Sequence, residues 1–544
     1  MVIESSAFYD GKPIAGHREP YTGPVEAARS FALADLLRRS ALRHPDKLAV
    51  IAGDVRLTFS EFDAAVDRVA GNVAARGITK GDRVAVLSHN GWEFAVISFA
   101  LARLGVLMVP INFMLTAAEV AFILEHSGAT GVFVEDALHP VIEEAVEIAG
   151  GDLSLRGWIA LAREAPAAGW ELVADWAKDE TAAPPSVHVA DDDPLRIMYT
   201  SGTESRPKGA MLSSRSLIAQ YMTCIVDGKM EHDDVEVHSL PMYHCAALDC
   251  CFGPDVYLGA TSVILPRPEP ALLLRTIERE RVTKVFCPPT VWISLLRSPE
   301  FETTDLSSLQ KGYYGASPMP VDVLMELQER LPHVRLWNLY GQTEMAPLAT
   351  VLQPEDQLIH AGAAGRAGLN VETRLVDDDD QPVPPGTVGE IVHRSPQAMI
   401  GYYRDAERTA EAFRGGWFHS GDLGVMDEDG YLTVVDRKKD MIKTGGENVA
   451  SREVEEAIHT MPEVAEVAVF GLPDPRWIEV VSAVVVPKDD GGVTAESVRE
   501  HAQAQLAGYK VPKRVFVAAS LPKNPSGKIL KRELREHYRD APAQ

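Results

Sequence analysis

The sequence predicts an α/β protein. It has a large N-terminal domain of layered sheets and helices with a β-barrel-like subdomain, and then a small C-terminal α/β domain. Three observations carry this prediction. Apolar strand-like runs alternate with helical patterns through much of the chain. Near residue 360 the helical stretches shorten and Gly, Pro and Asp rise. After about 436 a second series of strands and helices begins.

The alternation is explicit in the first part. RVAVLS (83–88) and VLMVPI (106–111) read as strands, and the segment from Trp92 to Leu104 between them reads as a helix. The same pattern returns at GVFVE (131–135), TSVILP (261–266) and KVFCPP (284–289). In the second part, VETRLVDDDDQPVPPGTVGEIVHRS reads as strand, turn, strand, with Asp377 to Asp380 at a solvated tip. Short strands continue through GYLTVVDRKKDMIKTGG, which predicts a barrel-like or meander subdomain. In the third part, SREVEEAIHTM (451–461) is an amphipathic helix, SVREHAQAQL is a second helix, and VAEVAVFGL, VVSAVVVPK and RVFVAAS are strands. The division is set at 1–435 and 436–544.

Composition narrows the function. The chain has 544 residues, 46% of them hydrophobic and 24% charged, which suits a folded protein of more than one domain. The net charge of −25 argues against nucleic acid or an anionic membrane as the main partner, since both need clustered positive charge. A small anionic substrate needs only a few local cations. The five cysteines, Cys224, Cys245, Cys250, Cys251 and Cys287, have no regular spacing and point to a reducing cytoplasm. The first twenty residues lack a signal-peptide pattern. The apolar stretch 94–111 is broken by Arg103, Gly105 and Pro110, so a helix and a strand explain it better than an integral membrane segment.

The sharpest chemical motif is PLRIMYTSGTESRPKGAMLSS (194–214). A strand ends at Tyr199, and Thr200, Ser201, Gly202 and Thr203 follow before Pro207, Lys208 and Gly209. Small residues let successive N–H groups face one concavity, which binds phosphate oxygens, and Lys208 adds a point charge. The spacing is not that of a P-loop. Read by itself, the segment is equally a polar surface turn.

Further motifs follow in order: LTFSEFDAAVDRVAGNVAARGITKGDRVAVL (57–87), ALARLGVLMVPIN (100–112), YYGASPMP (313–320), LYGQTEMAP (339–347), WFHSGDLGVMDEDGYLTVVDRKKDMIKTGGENV (417–449) and LPKNPSGKILKREL (521–534). This series resembles the adenylate-forming superfamily: acyl- and aryl-CoA synthetases, firefly luciferase and peptide-synthetase adenylation domains. It is most like a fatty-acyl-CoA synthetase. The resemblance implies an acid–thiol ligase. ATP and a carboxylic acid give an acyl-adenylate and pyrophosphate, and the acyl group then passes to coenzyme A.

The same resemblance implies roles. Thr200, Ser201, Gly202, Thr203 and Lys208 would hold phosphates. Gly315, Ala316 and Ser317 would line the adenine pocket, with Tyr340 stacked on the ring and Gly341 beside it. Thr343 would contact the α-phosphate, and Glu344 would hold Mg²⁺, a hard cation that takes oxygen ligands. Asp422 and Arg437 would hold the ribose. Lys528 would bridge the carboxylate and the α-phosphate, while Lys523, Lys531 and Arg532 read as solvated surface residues. Asp436 would be the hinge about which a mobile C-terminal domain turns, and Gly445, Gly446 and Glu447 would border the pantetheine path. His244, in SLPMYHCAALDCCFG, would orient the acid. Small residues such as Ala246 and Ala247 imply a roomy apolar pocket for a fatty or other bulky lipophilic acid.

The chain departs from the usual pattern in places. Glu204 and Ser205 stand for Thr and Gly, Ala450 and Ser451 for an aromatic residue and Pro, and Ile478 for the Gly before Glu479. Two other readings stand beside the leading one: a ligase that loads a carrier-protein phosphopantetheine, and a catalytically silent nucleotide-binding protein. Homo-oligomerisation is left open.

Overall fold

The computed structural model describes residues 28–162, 164–200, 207–315, 317, 319–444, 447–488, 492–523, 529–539 and 541, with the backbone of 8–9 and 12–13. Two large sheets form the N-terminal part. The first has eight strands. Leu107–Ile111, Arg83–Leu87, Gly131–Glu135 and Leu155–Ile159 run parallel at its centre, and Pro194–Thr200 and Lys208–Ser213 form an antiparallel hairpin toward one edge. The second has nine strands, with Thr261–Ile264, Val235–His238, Lys284–Phe286, Lys311–Gly315 and Arg335–Gly341 parallel in that spatial order. Helices cover both sheets, so the central strands are buried on both faces and read as continuous apolar runs.

The stretch 94–111 is a helix and a strand, as its interruptions predict. Trp92–Leu104 is buried on nearly every side, and Gly105 ends it at φ 66°, where a side chain would be strained. Among the described residues no helix is long and apolar enough to cross a membrane.

The middle region is an antiparallel sheet, Glu372–Val376, Gly389–Arg394, Phe418–Met426 and Leu432–Arg437, with neighbours in sequence order. It is an open meander, the second of the two predicted forms, and not a closed barrel. The smaller C-terminal part is a five-stranded sheet packed against Ser451–His459 and Ala495–Gln505. Val454, Ile458, Val469, Val485 and Val498 form its own apolar core.

Candidate active site

Parallel strands gather ligands at their carboxyl ends, and the cleft lies at such ends of the second sheet. It has two connected cavities of about 520 and 730 Å³. Leu339, Tyr340, Gly341, Arg437 and Lys439 line both. The meander sheet and the segment 529–535 close the smaller one.

Tyr340 ends the strand Arg335–Gly341 in the smaller cavity. Its hydroxyl donates to Asp422 Oδ2 at 2.7 Å. Burial and the adjacent carboxylate hold the phenol well above its usual pKa, so it stays a donor. Asp422 faces Arg437 across the meander, and Arg437 Nε lies 2.7 Å from Asp422 Oδ1. The backbone N–H of Asp422 donates to Ser420 Oγ at 3.0 Å. Ser317 lines this cavity. Gly315 sits behind its wall, because a Cβ there would be 2.3 Å from the Leu339 carbonyl oxygen.

The larger cavity begins at the hairpin. Thr200 pairs with Lys208 across it, and the Thr200 hydroxyl donates to the Lys208 carbonyl at 3.4 Å. The Lys208 ammonium lies 5.4 Å from the Tyr402 ring centroid, and the Tyr402 hydroxyl donates to Glu344 Oε1 at 2.9 Å. Thr343 and Glu344 share the short turn Thr343–Met345. Glu344 is nearly buried, and among the described residues no basic side chain pairs with it. A carboxylate with only a neutral donor suits a divalent cation shared with phosphate oxygens. Arg414 and Lys438 add positive charge on this side, shared with Glu390 at 2.9 and 3.1 Å.

His244 precedes the turn Cys245–Ala247 and opens to the same cavity. The surrounding protein desolvates its ring and lowers its pKa, which favours neutral imidazole. Beyond it the wall is apolar: Cys245, Ala246, Cys250, Phe286, Leu339 and Leu348. Burial raises the Cys245 thiol pKa, so it is a weak nucleophile. Among the described residues the metal-capable trio is Glu236, His238 and Asp255, all buried. Its cation is already built in: Lys284 Nζ lies 2.9 Å from Glu236 and 2.5 Å from Asp255.

Asp436 joins the meander to the C-terminal part. The helix Ser451–His459 gets no side-chain cap from Ala450. Asp436 Oδ2 supplies one, accepting from the Ser451 N–H at 2.6 Å and its hydroxyl at 2.7 Å. The proline usual at 451 could not donate that N–H. Lys531 corrects its reading as a solvated residue. Its ammonium donates to Ser451 Oγ at 2.7 Å and pairs with Glu455 at 2.8 Å. Ile478 sits at φ 71° and is 69% exposed, a conformation that explains why glycine is usual there.

The cleft thus brings together Thr200, Lys208, His244, Ser317, Tyr340, Gly341, Thr343, Glu344, Asp422, Asp436 and Arg437. Gly315 and Glu447 do not line it; Glu447 is exposed on the strand Glu447–Val449. Ser201, Gly202, Thr203, Ala316, Gly445, Gly446 and Lys528 lie outside the described residues. Sequence reasoning missed Tyr402 and Phe286. Tyr402 reaches Glu344 across 58 residues of chain, and no local pattern marks such a contact.

The chain matches the family described as AMP-binding enzyme over 37–403, and the AMP-binding enzyme C-terminal domain over 453–528. It is 39% identical to a feruloyl-CoA synthase of Amycolatopsis sp over 92% of this chain and 98% of that one. It is 36% identical to the long-chain-fatty-acid–CoA ligase FadD13 of Mycobacterium tuberculosis, again over 92% and 98%. The solved structure of ATP-bound MatB from Rhodopseudomonas palustris is similar with a TM-score of 0.83 at 30% identity, over 93% of this chain and 99% of that one.

Proposed function

The chain belongs to the AMP-binding enzyme family, within the adenylate-forming superfamily, and from that premise we propose that it is an ATP-dependent carboxylate–CoA ligase acting on a bulky lipophilic acid. The observation that carries this is what lines the two adjoining cavities. Asp422 with Tyr340 and Arg437 lines the smaller, and Lys208, Glu344 and His244 line the larger together with an apolar wall. That lining suits a nucleoside, its phosphates and an acid.

In the first step a carboxylate oxygen attacks the α-phosphorus and pyrophosphate leaves. In the second the thiol sulfur of coenzyme A attacks the acyl carbon and AMP leaves. Catalysis of this kind is mostly positioning and charge stabilisation. Asp422 accepts from the ribose hydroxyls and Arg437 donates. Thr343 and Lys208 donate to phosphate oxygens, with Ser201, Gly202 and Thr203. Glu344 would hold Mg²⁺, which when bound neutralises phosphate charge. Neutral His244 orients the acid. Lys528 donates between carboxylate and α-phosphate. The units 1–435 and 436–544 turn about Asp436 to bring Gly445, Gly446 and Glu447 to the thiol path. Five buried free thiols support a reducing, cytoplasmic setting.

The test is pyrophosphate release and acyl-CoA formation by purified protein across a panel of carboxylic acids. Lys528→Ala is expected to slow pyrophosphate release by about a hundredfold or more. No release with any acid would favour a silent nucleotide-binding protein. An acyl-adenylate that coenzyme A never discharges would favour a carrier-protein acceptor.

A further inference from the structure

Side chains alternate along a strand, so Lys284 and Phe286 share one face of Lys284–Phe286. Phe286, at the carboxyl end, walls the acid chamber. Lys284, one repeat deeper, is completely buried. Glu236 stands level with it on the neighbouring strand and pairs at 2.9 Å. Asp255 pairs with it at 2.5 Å and meets His238 Nε2 at 3.1 Å.

The covering helix repeats this layering. Leu248–Phe252 is a π-helical turn, a form common at functional sites. It puts Cys250 on the chamber wall and the next residue, Cys251, against Glu236. The turn is pinned from the other side, where Asp249 pairs with buried Arg196 and accepts from the Tyr221 hydroxyl at 2.9 Å. Tyr313, level with Phe286, is also spent. Its hydroxyl donates to the Gly228 carbonyl at 2.7 Å and its ring packs 5.3 Å from Trp337.

An alkyl chain passing Phe286 along its strand toward Lys284 would therefore lie against buried ion pairs and push them apart. Separating a buried charge from its partner costs more than a few buried methylenes return.

We propose that Cys250 and Phe286 form a fixed floor to the acid pocket, held by the Glu236–Lys284–Asp255–His238 cluster, so that the enzyme selects compact aryl acids over long-chain fatty acids. This rests on the reading of the cleft as the site of a carboxylate–CoA ligase. The substrate class thereby narrows to a planar or short acid whose apolar body ends at Phe286.

The experiment compares pyrophosphate release with cinnamate, hexanoate, dodecanoate and hexadecanoate, for the wild type, Phe286→Ala and Phe286→Leu. The wild type is expected to favour cinnamate over hexadecanoate at least tenfold in kcat/KM. Both variants are expected to narrow that ratio severalfold, with Phe286→Ala the larger change. Equal use of hexadecanoate and cinnamate by the wild type overturns the proposal. So does an unchanged ratio in both variants. Release of pyrophosphate with none of the acids would instead overturn the ligase reading on which the proposal rests.

Discussion

Two clusters of acidic and basic side chains border the second sheet, and they are opposites. One is Glu236, His238, Asp255 and Lys284, buried between the sheet and the helix Gly253–Leu258, with its cation supplied by the chain. The other is Glu344, just past the strand Arg335–Gly341, with Tyr402 and Lys208 from the first sheet, where the carboxylate has a neutral donor and no paired cation among the described residues. The first looks more like a metal centre by residue type. The second is better suited to take one, because among the described residues no basic side chain pairs with its carboxylate. Residue types alone do not make a site; uncompensated charge beside a cavity does.

The contrast is sharpened first by Lys284→Met. Removing one partner of a buried pair leaves uncompensated charge, so stability should fall by about 3–5 kcal/mol in thermal or urea unfolding. A loss below about 1 kcal/mol would mean that the cluster is not held together by its lysine.

Glu93 tests what a buried carboxylate costs where, among the described residues, no basic side chain pairs with it. Burial, then nearby Asp136 and Glu135, raise its pKa from 4.5 to about 7. A raised folded-state pKa gives stability that is present below pH 4.5 and is lost as pH rises through about 7. Over that window Glu93 should cost the wild type about 3 kcal/mol, at roughly 1.4 kcal/mol per unit. Glu93→Gln should remove this slope. A stability difference from wild type that stays constant between pH 5 and 8 would refute it.

At the open cluster the effect should fall on activity. Glu344→Gln is expected to slow pyrophosphate release about a hundredfold, or about 2.7 kcal/mol, and to raise the Mg²⁺ needed, with little change in melting temperature. A melting temperature that falls with the activity would make Glu344 structural. Asp422→Asn should raise the KM for ATP about tenfold, near 1.4 kcal/mol, and leave the KM for the acid alone. The smallest effect is at Ile478, whose φ of 71° is strained for a β-branched residue. Ile478→Gly should stabilise the C-terminal part by about 1 kcal/mol.

Much of the fold was legible because periodicity is local. The helix Trp92–Leu104, the strand Gly131–Glu135 and the C-terminal series follow directly from apolar spacing. The meander was legible only as one of two options, since strand, turn, strand says nothing of closure. Much of the cleft lining was legible as well, because Tyr340, Glu344 and Asp422 sit in short contiguous motifs. Lys531 was misread, since its partners Ser451 and Glu455 lie some eighty residues away and only folding brings them near.

The sequence by itself determined the family, and with it which residues are proposed to hold phosphate, ribose and acid. It did so because such residues must sit on tight local turns whose backbone the motif encodes. Only the tertiary structure decided which charges are compensated and what walls the larger cavity. Lys284 is an ordinary lysine in the sequence, and Phe286 an ordinary core residue. Their meaning comes from Glu236 and Asp255 around Lys284 and from Cys250 beside Phe286 on the cavity wall, which distant segments bring there.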